Sequence, residues 1–322
     1  INAIRVKTNS VLDMNVNNFI ISADNNIDKS VFYAGIYTGT PSSNSTFKLN
    51  ANNDVVINSV YFGIDNASYV YIMANNISIN SLGLLSENDD ELYDALGEAV
   101  FSDGYLKMNA RNNIQLFSDV SALELGANGV RFADSRPGKY DAIKGDTEIV
   151  AQNGFLDIRG NNAVGVISLV QTSQNDIRDV LLQANDFVNI YGRDKGVFYE
   201  PGSRNMNIIS TNDNVTISSD NIGFYAADEL RKEDIGRNPE VKAENTRGVV
   251  NINAKQGNVN LYGGTSGLII DNIAVKDADN NQGGYFTTIN VEAGKSINII
   301  GEEEYGIQAS NVLSIKDLSV DM

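Results

Sequence analysis

Leu49-Asn50-Ala51-Asn52-Asn53-Asp54-Val55-Val56-Ile57 is the stretch that decides the fold. An apolar residue stands two before Ala51, and apolar residues stand four and six after it. The same frame returns around Ala110 (Met108, Ile114, Leu116), Ala184 (Leu182, Val188, Ile190), Thr211 (Ile209, Val215, Ile217), Ala293 (Val291, Ile297, Ile299) and Ala309 (Ile307, Leu313, Ile315). Ala151 (Ile149, Leu156, Ile158) and Ala254 (Ile252, Val259, Leu261) carry one extra residue, and Ala74 (Ile72, Ile77, Ile79) and Ala127 (Leu125, Val130, Phe132) one fewer. A unit that returns this often along one chain is the mark of a repeat architecture.

Each copy is two period-2 runs joined by a polar corner. Period 2 places alternate side chains on opposite sides of a strand, so Ile, Val and Leu face one way and Asn, Ser, Thr, Asp and Lys the other. The corners read Asn52-Asn53, Asn75-Asn76, Asn112-Asn113, Asn153-Gly154, Asn185-Asp186 and Asn212-Asp213. These residue types tolerate turn conformations and hydrogen-bond their own backbone. A coil of this kind buries its apolar face only against a neighbouring coil. The expected fold is therefore all-β, a right-handed parallel β-helix with a few loop or short-helix insertions.

Successive anchors lie 23, 36, 17, 24, 33, 27, 43, 39 and 16 residues apart. The uneven spacing predicts insertions at about 86–100 and 227–247. The first has Ser86 as a cap, with Leu92, Ala95, Leu96 and Ala99 as an apolar helix face. The second holds Asp228-Glu229-Leu230-Arg231-Lys232-Glu233-Asp234. Removing both predicts about fourteen coils and a rod of roughly 65 Å. The whole chain, 1–322, reads as one β-helix domain cut from a longer protein, with residues 1–45 less regular. A β-sandwich is the alternative, with hairpin turns at Asn128-Gly129 and Asn153-Gly154. Both pairs occupy the repeat position that Asn-Asn holds elsewhere, which favours the solenoid.

Composition narrows the chemistry. The formal charge is −17 over 322 residues, which disfavours nucleic acid and anionic lipid as partners. There is no Cys and no His, which removes disulfides, thiolate and imidazole metal sites and Ser-His-Asp catalysis. No apolar run approaches the ~20 residues that cross a bilayer as a helix, so direct membrane insertion is not expected. Asn occurs 44 times, and Asn at equivalent corners is expected to stack as a hydrogen-bonded ladder.

The pattern at Leu49–Ile57 and at 291–299, with the acidic, Cys-free, Asn- and Gly-rich composition, is similar to the passenger regions of Gram-negative autotransporters and filamentous haemagglutinin-like adhesins. The resemblance extends from about Thr46 to Ile315. It implies a right-handed β-helix exported to the cell surface and held in the outer membrane through a domain outside this sequence. It also implies attachment to a host-cell or bacterial receptor, a glycan or a matrix component, in adhesion, biofilm or aggregation, and leaves self-association open. No cofactor, metal or catalytic residue is implied.

Particular residues bear on catalytic and metal chemistry. Asp89-Asp90 is explained as the first turn of the insert helix rather than as the acid pair of a glycosidase. Arg237-Asn238-Pro239-Glu240-Val241-Lys242 resembles the Arg-bearing element of pectate-lyase-like enzymes but ends in Lys. Asp277-Ala278-Asp279-Asn280-Asn281 offers alternate oxygen ligands, yet Gln282 and Thr288 stand where a calcium loop places Gly and a bidentate Glu. Glu302-Glu303-Glu304 reads as an exposed turn. Gly263-Gly264 and Gly283-Gly284 lack a phosphate-loop continuation. The expectation is a non-enzyme. A polysaccharide-degrading β-helix or phage tailspike, and a passive stalk, are the alternatives. For binding, Tyr61, Phe62, Tyr69, Tyr71 and Phe224-Tyr225 are the aromatic candidates, beside the two insertions.

Overall fold

A computed structural model describes residues 2–22, 34–38, 44–66, 68–83, 97–102, 104–125, 146–168, 178–200, 204–227, 245–276 and 282–310. These residues wind through three sheets in strict rotation. Sheet I begins with strands Asn2–Arg5, Ala34–Tyr37 and Phe62–Asn66; sheet II with Val11–Val16, Thr46–Ala51 and Tyr69–Ala74; sheet III with Phe19–Ser22, Asp54–Ser59 and Asn76–Ser81. Sheets I and II have ten strands each and sheet III nine. Every strand pairs in parallel with its counterpart one coil away, except that Ile273–Lys276 pairs antiparallel with the start of Gln282–Ala293. The fold is a parallel β-helix, as the repeat requires.

The alternation in the sequence becomes columns in the structure. Leu49, Ile72, Met108, Ile149, Leu182, Ile208 and Ile252 stack inward from sheet II. Ile57, Ile79, Leu116, Ile158, Ile190, Ile217 and Leu261 stack inward from sheet III. All are buried, and each such side chain contributes about 1.5–3 kcal/mol when removed from water. At the turn from sheet II to sheet III, Ala74, Ala110, Ala151 and Ala184 pair directly with one another. The corner stays hydrogen-bonded along the axis, with Asn112 N donating to Asn75 O at 2.8 Å and Asn153 N to Arg111 O at 2.8 Å. Small side chains predominate at this bend.

Three expected repeat copies are corrected. The copy at Thr211 shifts by one, because Ser210 pairs with both Ala184 and Ala254. Its buried hydroxyl bonds the Asp213 and Asp186 carbonyls of the corner, which makes Ser a polar substitute for Ala there. The copy at Ala127 is not a sheet II corner: Leu125 ends a sheet I strand, Ser121–Leu125, and Ala110 pairs directly with Ala151. Ala309 likewise lies in sheet I, paired with Ile270. A small residue among polar ones marks sheet I ends as well as true corners. The described residues make nine complete coils rather than fourteen, because each carries three strands and long connections; at ~4.8 Å per coil those nine span about 43 Å.

Sheet I differs from the other two. Its strands Phe62–Asn66, Glu98–Ser102, Ser121–Leu125, Val164–Ser168 and Lys195–Tyr199 are buried on both faces. Every strand of the sheet carries Gly or Ala at its second position, from Ala3 to Gly306. A Cβ at Gly196 would stand 2.5 Å from Gly223 O and 2.8 Å from Ile217 Cγ2. Sheets I and III therefore converge so closely that backbone meets side chain.

Long connections all leave the two corners that flank sheet I, while the corner between sheets II and III is short in every coil. Residues 84–96 and 228–244, the bulk of the expected insertions, lie outside the described residues. Glu98, Ala99 and Val100, placed by the sequence in the first insertion, belong to strand Glu98–Ser102, and Ala227 and Asn245–Arg247 likewise fall within strands. Within the less regular span expected over 1–45, residues 2–5, 11–16, 19–22 and 34–37 form strands of the stack, Val11–Val16 pairing along its length with Thr46–Ala51.

Asn ladders run along the axis. Asn251 donates to Asn207 Oδ1 at 2.8 Å, and Asn290 donates to Asn251 Oδ1 at 2.8 Å. Asn298 donates to Asn260 at 2.8 Å, and Asn260 to Thr216 Oγ1 at 3.2 Å. At the corner, Asn76 donates to Asp54 Oδ1 at 2.8 Å, Asn113 N to Asn76 Oδ1 at 3.3 Å, and Phe155 N to Asn113 Oδ1 at 3.1 Å. Side-chain amides thus extend the backbone ladder on corners and outward faces alike.

Candidate functional site

Sheet II presents an aromatic band on its outward face. In strand Tyr69–Ala74, period 2 turns Tyr69, Tyr71 and Met73 outward while Val70, Ile72 and Ala74 fill the core. The next coil places Tyr105 beside Tyr69, Lys107 beside Tyr71 and Asn109 beside Met73; the preceding coil places Thr46, Lys48 and Asn50 there. The Tyr69 and Tyr105 rings stack with centroids 4.9 Å apart and planes 7° apart. Met73, between Asn50 and Asn109 in its column, is 51% exposed.

The electrostatics of the band are local. Tyr71 lies between Lys48 and Lys107 along its column, and Lys107 Nζ bonds Glu148 Oε2 at 2.8 Å. Burial raises the Tyr71 hydroxyl above its ordinary range, with smaller contributions from Tyr69 and Tyr105, against the lowering effect of Lys107. The Tyr71 phenol therefore stays a neutral donor at physiological pH. Because Tyr69 and Tyr105 occupy each other's faces, the band offers ring edges, hydroxyls and a thioether to a partner. Those groups are typical of protein interfaces.

The structure separates the other aromatic candidates from this band. Phe62 is buried with Ala34 and Phe101 in a cluster on the outer side of sheet I, with Tyr61 and Tyr37 packed against it. Phe224 fills the core, and Tyr225 stacks on Phe198 at 5.8 Å. Tyr105, Met73 and Lys107 were not anticipated, although Tyr69 and Tyr105 each stand five before a corner alanine, Ala74 and Ala110. Reading residues at a fixed offset from the anchor would have joined them.

Asp89-Asp90, Arg237 to Lys242 and Asp277 to Asn281 lie outside the described residues. Gln282 and Thr288 belong to an extended strand paired with its neighbours. Glu302-Glu303-Glu304 forms an exposed turn whose backbone N–H groups bond Gly263 O, Gly264 O and Thr265 O. Gly263 and Gly264 close the equivalent turn one coil earlier, and Gly283-Gly284 is strand. Among the described residues no group of three or more His, Cys, Asp or Glu is placed to hold a metal ion. Among them, too, no helix is long and apolar enough to cross a membrane, which leaves β-barrel spans unaddressed. Compared with known proteins, the chain matches no family model, no curated protein and no solved structure.

Proposed function

We propose that this chain is a non-catalytic adhesin segment displayed at a bacterial cell surface, attaching to a receptor or matrix component through the outward face of sheet II. The observation that carries the reading is the Tyr69, Tyr71, Met73 and Tyr105 band, set on a rigid parallel stack. Tyr and Met on a preorganised strand supply contact area at low entropic cost. The resemblance to autotransporter passengers supports export, and anchoring in the outer membrane would come from a domain outside this sequence. The stacked core would supply reach, since each coil rests only on its neighbours.

The test is retention of the purified chain by bacterial cells, epithelial cells and immobilised matrix proteins, with a Tyr71→Ala/Met73→Ala double variant alongside. Retention that drops at least about tenfold in the variant, with an unchanged circular dichroism spectrum, is the expected result. Retention by none of these surfaces overturns it, and release of reducing sugar or unsaturated uronate from a polysaccharide panel would assign the chain to a β-helix enzyme or tailspike instead.

A further inference from the structure

A second feature lies on sheet III, independent of the sheet II band. One outward column reads Phe117, Arg159, Tyr191, Ser218, Tyr262, Ile300 over six successive coils. Five of the six side chains are bulky, and Ser218 alone leaves a gap, with Tyr191 one coil before it and Tyr262 one coil after. The two tyrosines are two coil steps apart, about 10 Å, which is room for one flat group between them. Asp220 stands at the edge of this gap, two residues beyond Ser218. Its Oδ1 accepts from the Tyr191 hydroxyl at 3.1 Å, and the residue is exposed. The Tyr262 hydroxyl is held by Glu302 on the next coil. Thr216 and Asn260, bonded at 3.2 Å, form the opposite edge. Arg193, at the same corner one coil earlier, is turned toward Asn162 Oδ1 at 3.5 Å.

The same column shows what such a place accepts. Arg159 sits with its guanidinium carbon 5.7 Å from the Phe117 ring centroid, and its Nε lies 3.0 and 3.1 Å from the two carboxylate oxygens of Asp157. An aromatic face, a flat cation and a carboxylate two residues along the strand already form one unit there. At Ser218 two tyrosines and the Asp220 carboxylate are again neighbours, and the nearest cation, Arg193, is engaged with Asn162.

We propose that the Ser218 gap seats an arginine side chain of a partner protein, with the guanidinium between Tyr191 and Tyr262 and paired to Asp220. A planar, weakly hydrated cation suits two ring faces and a carboxylate better than an ammonium does. The −17 charge of the chain draws a basic partner toward this surface. The site goes beyond the adhesin reading and stands whether or not sheet II binds a receptor.

The test is a titration of the full chain, labelled on tyrosine rings for NMR, with a Gly-Gly-Arg-Gly-Gly peptide and its Lys and citrulline counterparts at about 0.15 M salt. The expected result is a shift of the Tyr191 and Tyr262 resonances by the arginine peptide, at least roughly tenfold weaker binding of the Lys peptide, and none of the neutral citrulline peptide. Ser218→Tyr fills the gap and should abolish the shifts, and Asp220→Asn should weaken binding several-fold. Equal binding of the Lys peptide, or unchanged binding by Ser218→Tyr with an unaltered circular dichroism spectrum, overturns the proposal. So does a shift of the two tyrosines by neutral oligosaccharide in place of the arginine peptide.

Discussion

The rings of Phe155 and Phe187 lie flat on one another, centroids 4.9 Å and planes 3° apart. Each stands one residue before a sheet III strand in successive coils, Leu156–Gly160 and Val188–Gly192, so the ring spacing equals one coil step. The backbone joins at the same place, Leu156 N donating to Phe187 O at 3.1 Å. Ring stack and ladder thus fix the same register. Phe187→Ala should lower stability by about 1–3 kcal/mol, read as an earlier denaturant midpoint, with Phe187→Tyr close to neutral. A midpoint unmoved by the alanine change would show that the stack only follows the register and does not help set it.

Contact between sheets I and III predicts a sharper effect at glycine. A side chain at Gly196 has to enter space held by the Gly223 carbonyl at 2.5 Å and Ile217 Cγ2 at 2.8 Å. Backbone of the neighbouring coil cannot move without breaking its ladder. Gly196→Val should cost more than ~3 kcal/mol or prevent folding, whereas Gln115→Val, outward on sheet III, should shift the midpoint by no more than about 0.5 kcal/mol. Parallel denaturation curves of the two variants make the comparison.

That contrast also shows what the sequence could and could not reveal. Sheets II and III were legible because their strands alternate cleanly and meet at a short corner, as around Ala51 and Ala110. Sheet I was not, because strands such as Val164–Ser168 are buried on both sides and lose the period-2 signal. The column from Gly35 to Gly306 was visible only as a high glycine content, since its members are separated by connections of unequal length. The same irregularity hid the pairing of Tyr69 with Tyr105. Coil number failed for a related reason: a small residue among polar ones, as at Ala309, also describes the end of a sheet I strand.

The amide ladders yield a coupling prediction. Asn251 donates to Asn207 and accepts from Asn290, both at 2.8 Å, on the partly exposed face of sheet II. Asn251→Ala removes two neutral hydrogen bonds at once and should cost about 1 kcal/mol, solvent competing for part of each. A double-mutant cycle with Asn290→Ala should return a coupling of roughly 0.5 kcal/mol or more. Strict additivity would mean that the ladder reflects strand register without adding to it.

Asp65 carries a pH dependence of its own. It sits in the sheet I column Arg5, Tyr37, Asp65, Phe101, Glu124 and is 8% exposed. Arg5 is drawn over the Tyr37 ring, 5.4 Å from its centroid, and Phe101 walls the other side. Burial pushes the Asp65 carboxyl up to about 7, from an ordinary value of 3.8. The Tyr37 hydroxyl is also raised, by burial first and then by Asp65, with Arg5 opposing. Between the two Asp65 values the folded chain holds a proton that the unfolded chain has lost. Its contribution to stability is therefore full below about pH 4, declines as pH rises toward 7, and is gone above that. Asp65→Asn keeps the shape and removes the titration. The variant should be more stable than the parent by about 1–4 kcal/mol at pH 8, with the gap narrowing toward pH 4. Denaturation midpoints of both proteins across that range give the measurement. A gap that is constant with pH would place the Asp65 proton on both states alike and remove burial as the cause.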